Sequence, residues 1–325
     1  MGNASQAGLA VGVDVGGTKV AAGLVGADGS VIERLRRETP AQDPERSLPA
    51  LVAGVVAELG ERCGVGALPV GVGAAGLVDL DGTVRYAPNI DWADFPLRAA
   101  LAERLDGPVT VDNDANVAAW GEYRAGAGAA APTAMVMLTL GTGVGGGLVL
   151  GDRLVRGGGG LAAEFGHVVV KEGGPRCPCG NRGCLEPLAS GTAIGRLARD
   201  GLADGSAPQD TSLRRLPAEQ VTGKTVTMAA HAGDRYATGV LARCGFWLGV
   251  GVASLVNALD PEVVVVGGGA MQAGELILAP AREAAAERVL GREHRRLPPI
   301  VRASLGDDAG IVGAALLALA AGGDR

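Results

Sequence analysis

The amino-acid sequence predicts an α/β protein of two related domains, and three observations carry that prediction. Strand-like and helix-like patterns alternate through both halves of the 325 residues. A strand, glycine turn, strand unit near the start recurs 125 residues later. Hydrophobic residues make up 47% of the chain against 20% charged, enough apolar material for two ordinary cores and too much for a disordered chain.

In chain order, Val11 to Val25 reads as a strand, the turn Asp14-Val15-Gly16-Gly17-Thr18-Lys19 and a second strand, with Asp28-Gly29 turning into a third. Leu48 to Leu59 carries apolar residues at helical spacing, and Val70 to Ala74 returns to strand. Asp94 is expected to cap a helix through Leu105, with Pro96 in its first turn, ahead of a strand at Val109 to Val111. The 125-residue shift lays Val11 to Gly26 on Val136 to Gly151, matching Gly16 with Gly141 and Gly26 with Gly151. Asp204 to Asp210 reads as a long surface loop and Phe246 to Leu259 as a buried segment. Val263 to Val266 reads as a strand ending in Gly267-Gly268-Gly269, and Asp308 to Leu319 as a last helix.

Composition excludes several functions. The net charge is −6 and no basic run is present, so the electrostatic footprint of a nucleic-acid binder is missing. The uncharged stretch Ala125 to Gly151 is broken by Pro132 and by glycines, which argues against a membrane span, and the first residues lack a signal-peptide pattern. Small-molecule partners and a cytoplasmic location are expected.

Glycine, at 55 of 325 residues, is well above the usual share of roughly 7%. Much of that excess fits a coding bias, but some is concentrated in turns. Backbone N–H groups can approach a polyphosphate closely where glycine removes the side chain, so the turns at Gly16 and Gly141 are candidates to hold one nucleotide from two sides. Gly141-x-Gly143-x-x-Gly146 fits a dinucleotide fingerprint, but Gly147 to Gly151 looks like a strand where that motif needs a helix. Gly223-Lys224-Thr225 lacks the first glycine of a phosphate-binding loop, since Ala218 stands there, and reads as a plain loop.

Five cysteines include three within eight residues, at Cys177, Cys179 and Cys184, and His167 completes a set suited to tetrahedral zinc. Four filled protein positions describe a structural metal with no open position for a reacting water. Asp112-Asn113-Asp114-Ala115-Asn116 sits where a strand ends and a helix begins, the edge at which open α/β sheets bind ligands. A carboxylate there is placed for general-base work, while helix capping explains the same residues. Glu164 and Glu186 flank the metal loop, as ligand-binding or as surface acids.

Together these segments resemble the ROK sugar kinases, and within them the bacterial ATP-dependent glucokinases. The resemblance rests on Asp14 to Lys19, Pro88-Asn89-Ile90-x-Trp92, Asp112 to Asn116, Leu140 to Gly147, Glu164-x-Gly166-His167, Cys177-x-Cys179-Gly180-x-x-Gly183-Cys184-x-Glu186, Gly267 to Gly269 and Asp307-Asp308-Ala309-Gly310. It implies an actin/hexokinase-like fold, a duplicated ribonuclease H-like architecture with a cleft between domains that takes the sugar. The implied domains are 1–115 with 307–325, completed by the C-terminal helix, and 116–306. It implies that Asp14, Gly16, Gly17, Thr18, Lys19, Gly141, Thr142, Gly143, Gly267, Gly268 and Gly269 serve ATP and Mg²⁺. By the same resemblance Asp114 is the base for the sugar 6-hydroxyl, and Gly76, Asn89, Asn113, Glu164, His167 and Glu186 hold the sugar. His167 would serve both zinc and sugar.

The expected partners are D-glucose and ATP, with no nucleic acid or membrane, in a homodimer or homotetramer as the resemblance implies. Mannose, an N-acetylhexosamine, fructose or allose remain alternative substrates, and polyphosphate an alternative donor. The family also contains sugar-responsive repressors, but the thirteen residues before Asp14 are too few for a helix-turn-helix.

Overall fold

The computed structural model describes residues 8–87, 89–131 and 133–323, so Pro88 of the Pro88-Asn89-Ile90 motif and the chain ends lie outside the described residues. The chain divides into two compact units, one of residues 1–130, 147–163 and 304–325, the other of 131–146 and 164–303.

In the first unit, β1 (Leu9–Val15), β2 (Lys19–Gly26) and β3 (Val31–Glu38) form an antiparallel meander, followed by α1 (Pro44–Cys63) and by β4 (Val70–Ala74), parallel to β1. Strands β5 (Leu77–Val78), β6 (Val84–Ala87) and β7 (Trp92–Phe95) make a small sheet before α2 (Leu97–Ala102), β8 (Val109–Asn113) and α3 (Asp114–Ala125). The main sheet has the order β3-β2-β1-β4-β8. Its strands β1, β2 and β4 are buried along nearly their whole length, which is why they read as continuous apolar runs rather than alternating ones. Leu48, Val52 and Leu59 of α1 pack with Val11, Val13 and Val72 in the core.

Strands β9 (Ala134–Leu140), β10 (Val144–Leu150) and β11 (Arg153–Leu154) come next, then α4 (Glu186–Ala189), α5 (Gly191–Ala203), α6 (Gly223–His231) and α7 (Arg235–Leu259). The chain ends with β12 (Val263–Gly267), α8 (Glu275–Ala286), β13 (Ile300–Arg302) and α9 (Ala309–Gly323). The second main sheet runs β11-β10-β9-β12-β13, with β9, β12 and β13 parallel. Displacing β1 by 125 residues reproduces β9 end to end, so the repeat seen in the sequence is a repeat of structure.

Residues 116–130 and 147–163 belong to the first unit rather than to the larger domain expected of them. The reason lies in α9, which returns to pack on β1, β4 and α3. Small residues let the backbones touch: a methyl built at Gly12 or Gly71 would overlap the Ile311 or Ala314 carbonyl of α9. Gly147 likewise packs on Ala119 of α3. Fully buried Glu122 fixes the approach to α9, accepting hydrogen bonds from the backbone N–H groups of Ala127 (2.7 Å), Ser304 (3.1 Å) and Leu305 (2.7 Å). A buried carboxylate is stable there because each oxygen has donors.

Two local expectations change. Asp94 does not cap a helix: it lies in β7, and its carboxylate accepts from Arg85 at 2.9 Å. The following helix is only six residues and begins after Pro96, whose ring occupies the capping position and supplies no side-chain acceptor. The segment Phe246 to Leu259 is the second half of the 25-residue α7, which starts well before it behind an Asp234 cap. Among the described residues α7 is long and apolar enough to cross a membrane, but 61% of that window is buried inside the fold, with Gly245 and Gly249 against the backbone of α8.

Candidate functional site

At the first glycine turn, β1 and β2 pair as far as Val15 and Val20, and the Gly16 N–H donates to the Lys19 carbonyl at 3.0 Å. Thr39 holds the turn from outside: its hydroxyl donates to the Gly16 carbonyl (2.6 Å) and its N–H to the Thr18 carbonyl (3.1 Å). With those carbonyls engaged, the turn is shaped to present N–H groups. Gly17 is required by crowding, since a methyl there would lie 2.8 Å from the Asn89 carbonyl oxygen. Asp14, one residue before the end of β1, has its carboxyl raised above the usual range by burial, with Lys19 opposing and Asp307 adding to the effect. A nearby cation would relieve that cost, and paired carboxylate oxygens are the donors Mg²⁺ accepts.

The neighbouring strands bring further candidates to the same sheet edge. Parallel pairing aligns Asp14 with Gly73, and Ala74 with Asn113, so the Gly76 turn and the β8–α3 junction lie side by side. The Asn113 side chain caps α3, accepting from Ala115 (2.9 Å) and Asn116 (3.1 Å), and donates to the Gly76 carbonyl at 2.8 Å. Capping and positioning are thus one arrangement, because the cap fixes the residue before Asp114. Asp114 opens α3 and accepts from the Ala115 N–H at 2.8 Å. The first unit therefore gathers Asp14, Gly16, Gly17, Thr18, Lys19, Gly76, Asn89, Asn113 and Asp114 along one edge.

In the second unit the Gly141 turn closes with a hydrogen bond from the Gly141 N–H to the Gly143 carbonyl (3.0 Å), and the Gly191 N–H at the start of α5 donates to the Gly141 carbonyl (2.8 Å). Glu186 accepts from the Val144 N–H at 3.1 Å, and a methyl at Gly143 would overlap the same carboxylate. Gly268 packs on the Leu140 backbone with a positive φ of 87°. A cavity of about 490 Å³ is lined by Gly141, Thr142, Gly269, Gln272, Arg199 and the segment Thr222-Gly223-Lys224. Of the glycines expected at the nucleotide, Gly141 and Gly269 face this cavity, with Thr142, whereas Gly267 packs on Met137 and Ala303. Gly223-Lys224-Thr225 is not a loop: it is the first turn of α6, held by a reciprocal Thr222–Thr225 capping box.

The metal candidates do converge. The ligating atoms of His167, Cys177, Cys179 and Cys184 all lie within 4.8 Å of one another, with His167 Nδ1 3.6 Å from Cys177 Sγ and Cys179 Sγ 3.7 Å from Cys184 Sγ. Zinc bonds of about 2.3 Å to sulfur and 2.0–2.1 Å to nitrogen give tetrahedral edges of about 3.6–3.8 Å, so the donor set fits that ion. Gly183 permits the spacing, because with φ at 76° its Cα faces the Lys171 carbonyl too closely for any side chain. His167 turns Nδ1 to the sulfurs, which leaves Nε2 on the other side of the ring. Burial raises the Glu164 carboxyl, with His167 opposing and Glu186 adding. Glu186 joins the metal loop to the glycine turn, since its other oxygen is 3.9 Å from Cys177 Sγ.

The sequence alone does not point to Thr39, Arg156 or the α6 turn as parts of these arrangements. Asp112 stands inside its motif; Arg156, 44 residues away, carries no local signal.

Comparison with known proteins places these features in a family context. The ROK family model matches residues 10–321. The glucokinase of Streptomyces coelicolor is 40% identical over 315 residues, covering 96% of this chain and 98% of that protein. The N-acetylmannosamine kinase of Escherichia coli O157:H7 is 35% identical over 309 residues, covering 94% and 97%. A crystal structure of a ROK family glucokinase from Streptomyces griseus, in complex with glucose and AMPPNP, superimposes with a TM-score of 0.84 at 40% identity, covering 95% of this chain and 99% of that one.

Proposed function

This chain belongs to the ROK family, and on that footing we propose that it transfers the γ-phosphate of ATP to the 6-hydroxyl of D-glucose. The observation that carries the reading is the β8–α3 junction, where a capped Asn113 delivers Asp114 to the sheet edge that also carries Asp14 and the first glycine turn. The likeness to a glucokinase bound to glucose and AMPPNP supports the choice of substrates.

In this reading Asp114 accepts the proton of the 6-hydroxyl as that oxygen attacks the γ-phosphorus in line, and ADP leaves. Positioning and charge stabilisation supply most of the acceleration. The residues assigned to sugar hydroxyls are Asn89, Asn113, the Gly76 backbone, Glu164, Glu186 and His167 through Nε2. Carboxylates and amides suit that task because they pair with adjacent hydroxyls. The Gly16 to Lys19 turn and the Gly141 to Gly143 turn present N–H groups to phosphate, and the cavity beside Gly269 takes the adenosine. Asp14 would hold Mg²⁺, which would supply neutralisation of phosphate charge. His167, Cys177, Cys179 and Cys184 would hold a structural Zn²⁺, which would fix the His167 ring and the Glu186 loop. The enzyme works in the cytoplasm as a homodimer or homotetramer.

A second reading, a kinase for an N-acetylated hexosamine, has the 35% identical N-acetylmannosamine kinase behind it. Specificity constants for glucose, mannose, N-acetylmannosamine, fructose and allose, each with ATP and with polyphosphate, separate the two. Glucose with ATP gives the largest value if the proposal is right; a larger value for an N-acetylated sugar replaces it with the second reading.

A further inference from the structure

Behind the β8–α3 junction lies a charged network that no part of the proposed reaction uses. Asp112, the penultimate residue of β8, is 4% exposed and has both carboxylate oxygens occupied. One oxygen accepts from the Asn113 N–H and from Asn116 Nδ2, each at 2.8 Å; the other accepts from Arg156 Nε at 2.5 Å. Asn113 is thereby held at its backbone by Asp112 and at its side chain by the α3 cap and the Gly76 carbonyl. Asp114 comes directly after it.

Arg156 is presented by a glycine-rich loop. The Arg156 carbonyl accepts from the Ala162 N–H at 3.0 Å, closing a turn through Gly157 (φ 73°) and Gly160 (φ 88°). Gly160 lies against Asp79 and Leu80, where a methyl would come within 2.7 Å of the Leu80 nitrogen, so Gly157 and Gly160 seat this loop, while Gly158 and Gly159 face open space. The Arg156 side chain is 32% exposed, and it and Asp112 border a cavity of about 360 Å³.

From this geometry we infer that Arg156 is a positioning residue for the base Asp114, acting through Asp112; the inference rests on the reading of Asp114 as the base. Without the guanidinium, the buried Asp112 carboxylate loses the cation it pairs with and turns toward the cavity. The hydrogen bond to the Asn113 N–H is then lost, and Asp114 leaves the line of attack. A displacement of about 1 Å at a reacting group costs up to about a hundredfold in rate.

The test is steady-state kinetics of Arg156→Ala and Arg156→Lys with glucose and ATP, with melting temperatures alongside. Arg156→Ala is expected to lower kcat at least about tenfold while KM for ATP stays within about threefold and KM for glucose, which Asn113 also serves, rises by less than kcat falls. Ethylguanidinium, admitted through the cavity, restores a several-fold increase in kcat to that variant and leaves the parent unchanged. Arg156→Lys keeps the charge without the planar Nε donor, and gives reduced kcat at a parental melting temperature. Parental kcat in either variant overturns the inference, as does a loss of kcat that ethylguanidinium does not relieve. Asp114→Asn, assayed in parallel, separates the two levels: if it is inactive while Arg156→Ala turns over normally, only the positioning role fails. If Asp114→Asn itself turns over normally, the base reading beneath it fails.

Discussion

Glycine to alanine at two positions should have opposite effects, and the difference lies in what surrounds each. Gly313 lies in α9 where that helix crosses α3. A methyl there would overlap the Val117 carbonyl oxygen, with the Val117 carbon at 2.5 Å and the Gly121 nitrogen at 2.9 Å. All three are helix backbone and cannot rotate aside, so α3 and α9 must separate by about 2 Å at that point to bring the carbonyl oxygen to ordinary contact of 3.4–4 Å. A gap of even half that size forfeits about half of each dispersion contact, which over some tens of atom pairs amounts to at least about 3 kcal/mol. Alanine returns about 1 kcal/mol through helix propensity, for a net loss of at least about 2 kcal/mol. Gly54 in α1 has open space around its missing methyl, so the same substitution there should gain about 1 kcal/mol. For a folding unit of this size each kcal/mol moves the melting temperature by about 2–4 °C. Thermal melts monitored by circular dichroism should therefore place Gly313→Ala at least about 4–8 °C below the parent and Gly54→Ala about 2–4 °C above it. Turnover should fall in Gly313→Ala as well, because Asp114 heads the displaced helix. A Gly313→Ala protein melting at or above the parent would refute the argument from close backbone approach.

Two further outcomes are expected. Asp234 accepts from Thr211, from the Ser212 N–H and hydroxyl and from the Ala237 N–H, and although burial opposes the charge these bonds hold its carboxyl at about 2, against 3.8 unperturbed. A depressed carboxyl stabilises the fold above the unfolded value and loses that contribution as pH falls through the folded one. Denaturant titrations should therefore show about 1–2 kcal/mol, after allowance for solvent screening, disappearing between about pH 4 and pH 2 in the parent and not in Asp234→Asn. For the metal loop, elemental analysis should find about one zinc per chain, and Cys179→Ser or a strong chelator should remove it, lower the melting temperature and weaken glucose binding together. Unchanged melting in the metal-free protein would rule out a structural role.

The sequence is most legible where function needs local patterns. The two glycine turns, the Asp-Asn-Asp junction and the cysteine cluster each lie within a few residues, so spacing alone exposes them, and the 125-residue shift matches strand to strand. What escapes a linear reading depends on contacts distant in sequence. Glu122 meets Ser304 across 182 residues, Asp112 meets Arg156 across 44, and Thr39 reaches Gly16 only because β3 returns beside β2. Asp94 misleads for the opposite reason: a good local capping signal loses to strand pairing with β6 and to the arginine opposite. Lys224 gives no motif signal, because its segment lacks the required glycine, yet a capped helix start brings it to the cavity wall without one.

The decisive measurement is the turnover of Asp114→Asn with saturating glucose and ATP, alongside its affinity for glucose. The substitution keeps the shape of the side chain and its place at the start of α3 while removing the group that takes the proton. If Asp114 is the base, kcat falls by about 10²–10⁴-fold with glucose still bound. Near-parental turnover would contradict that role.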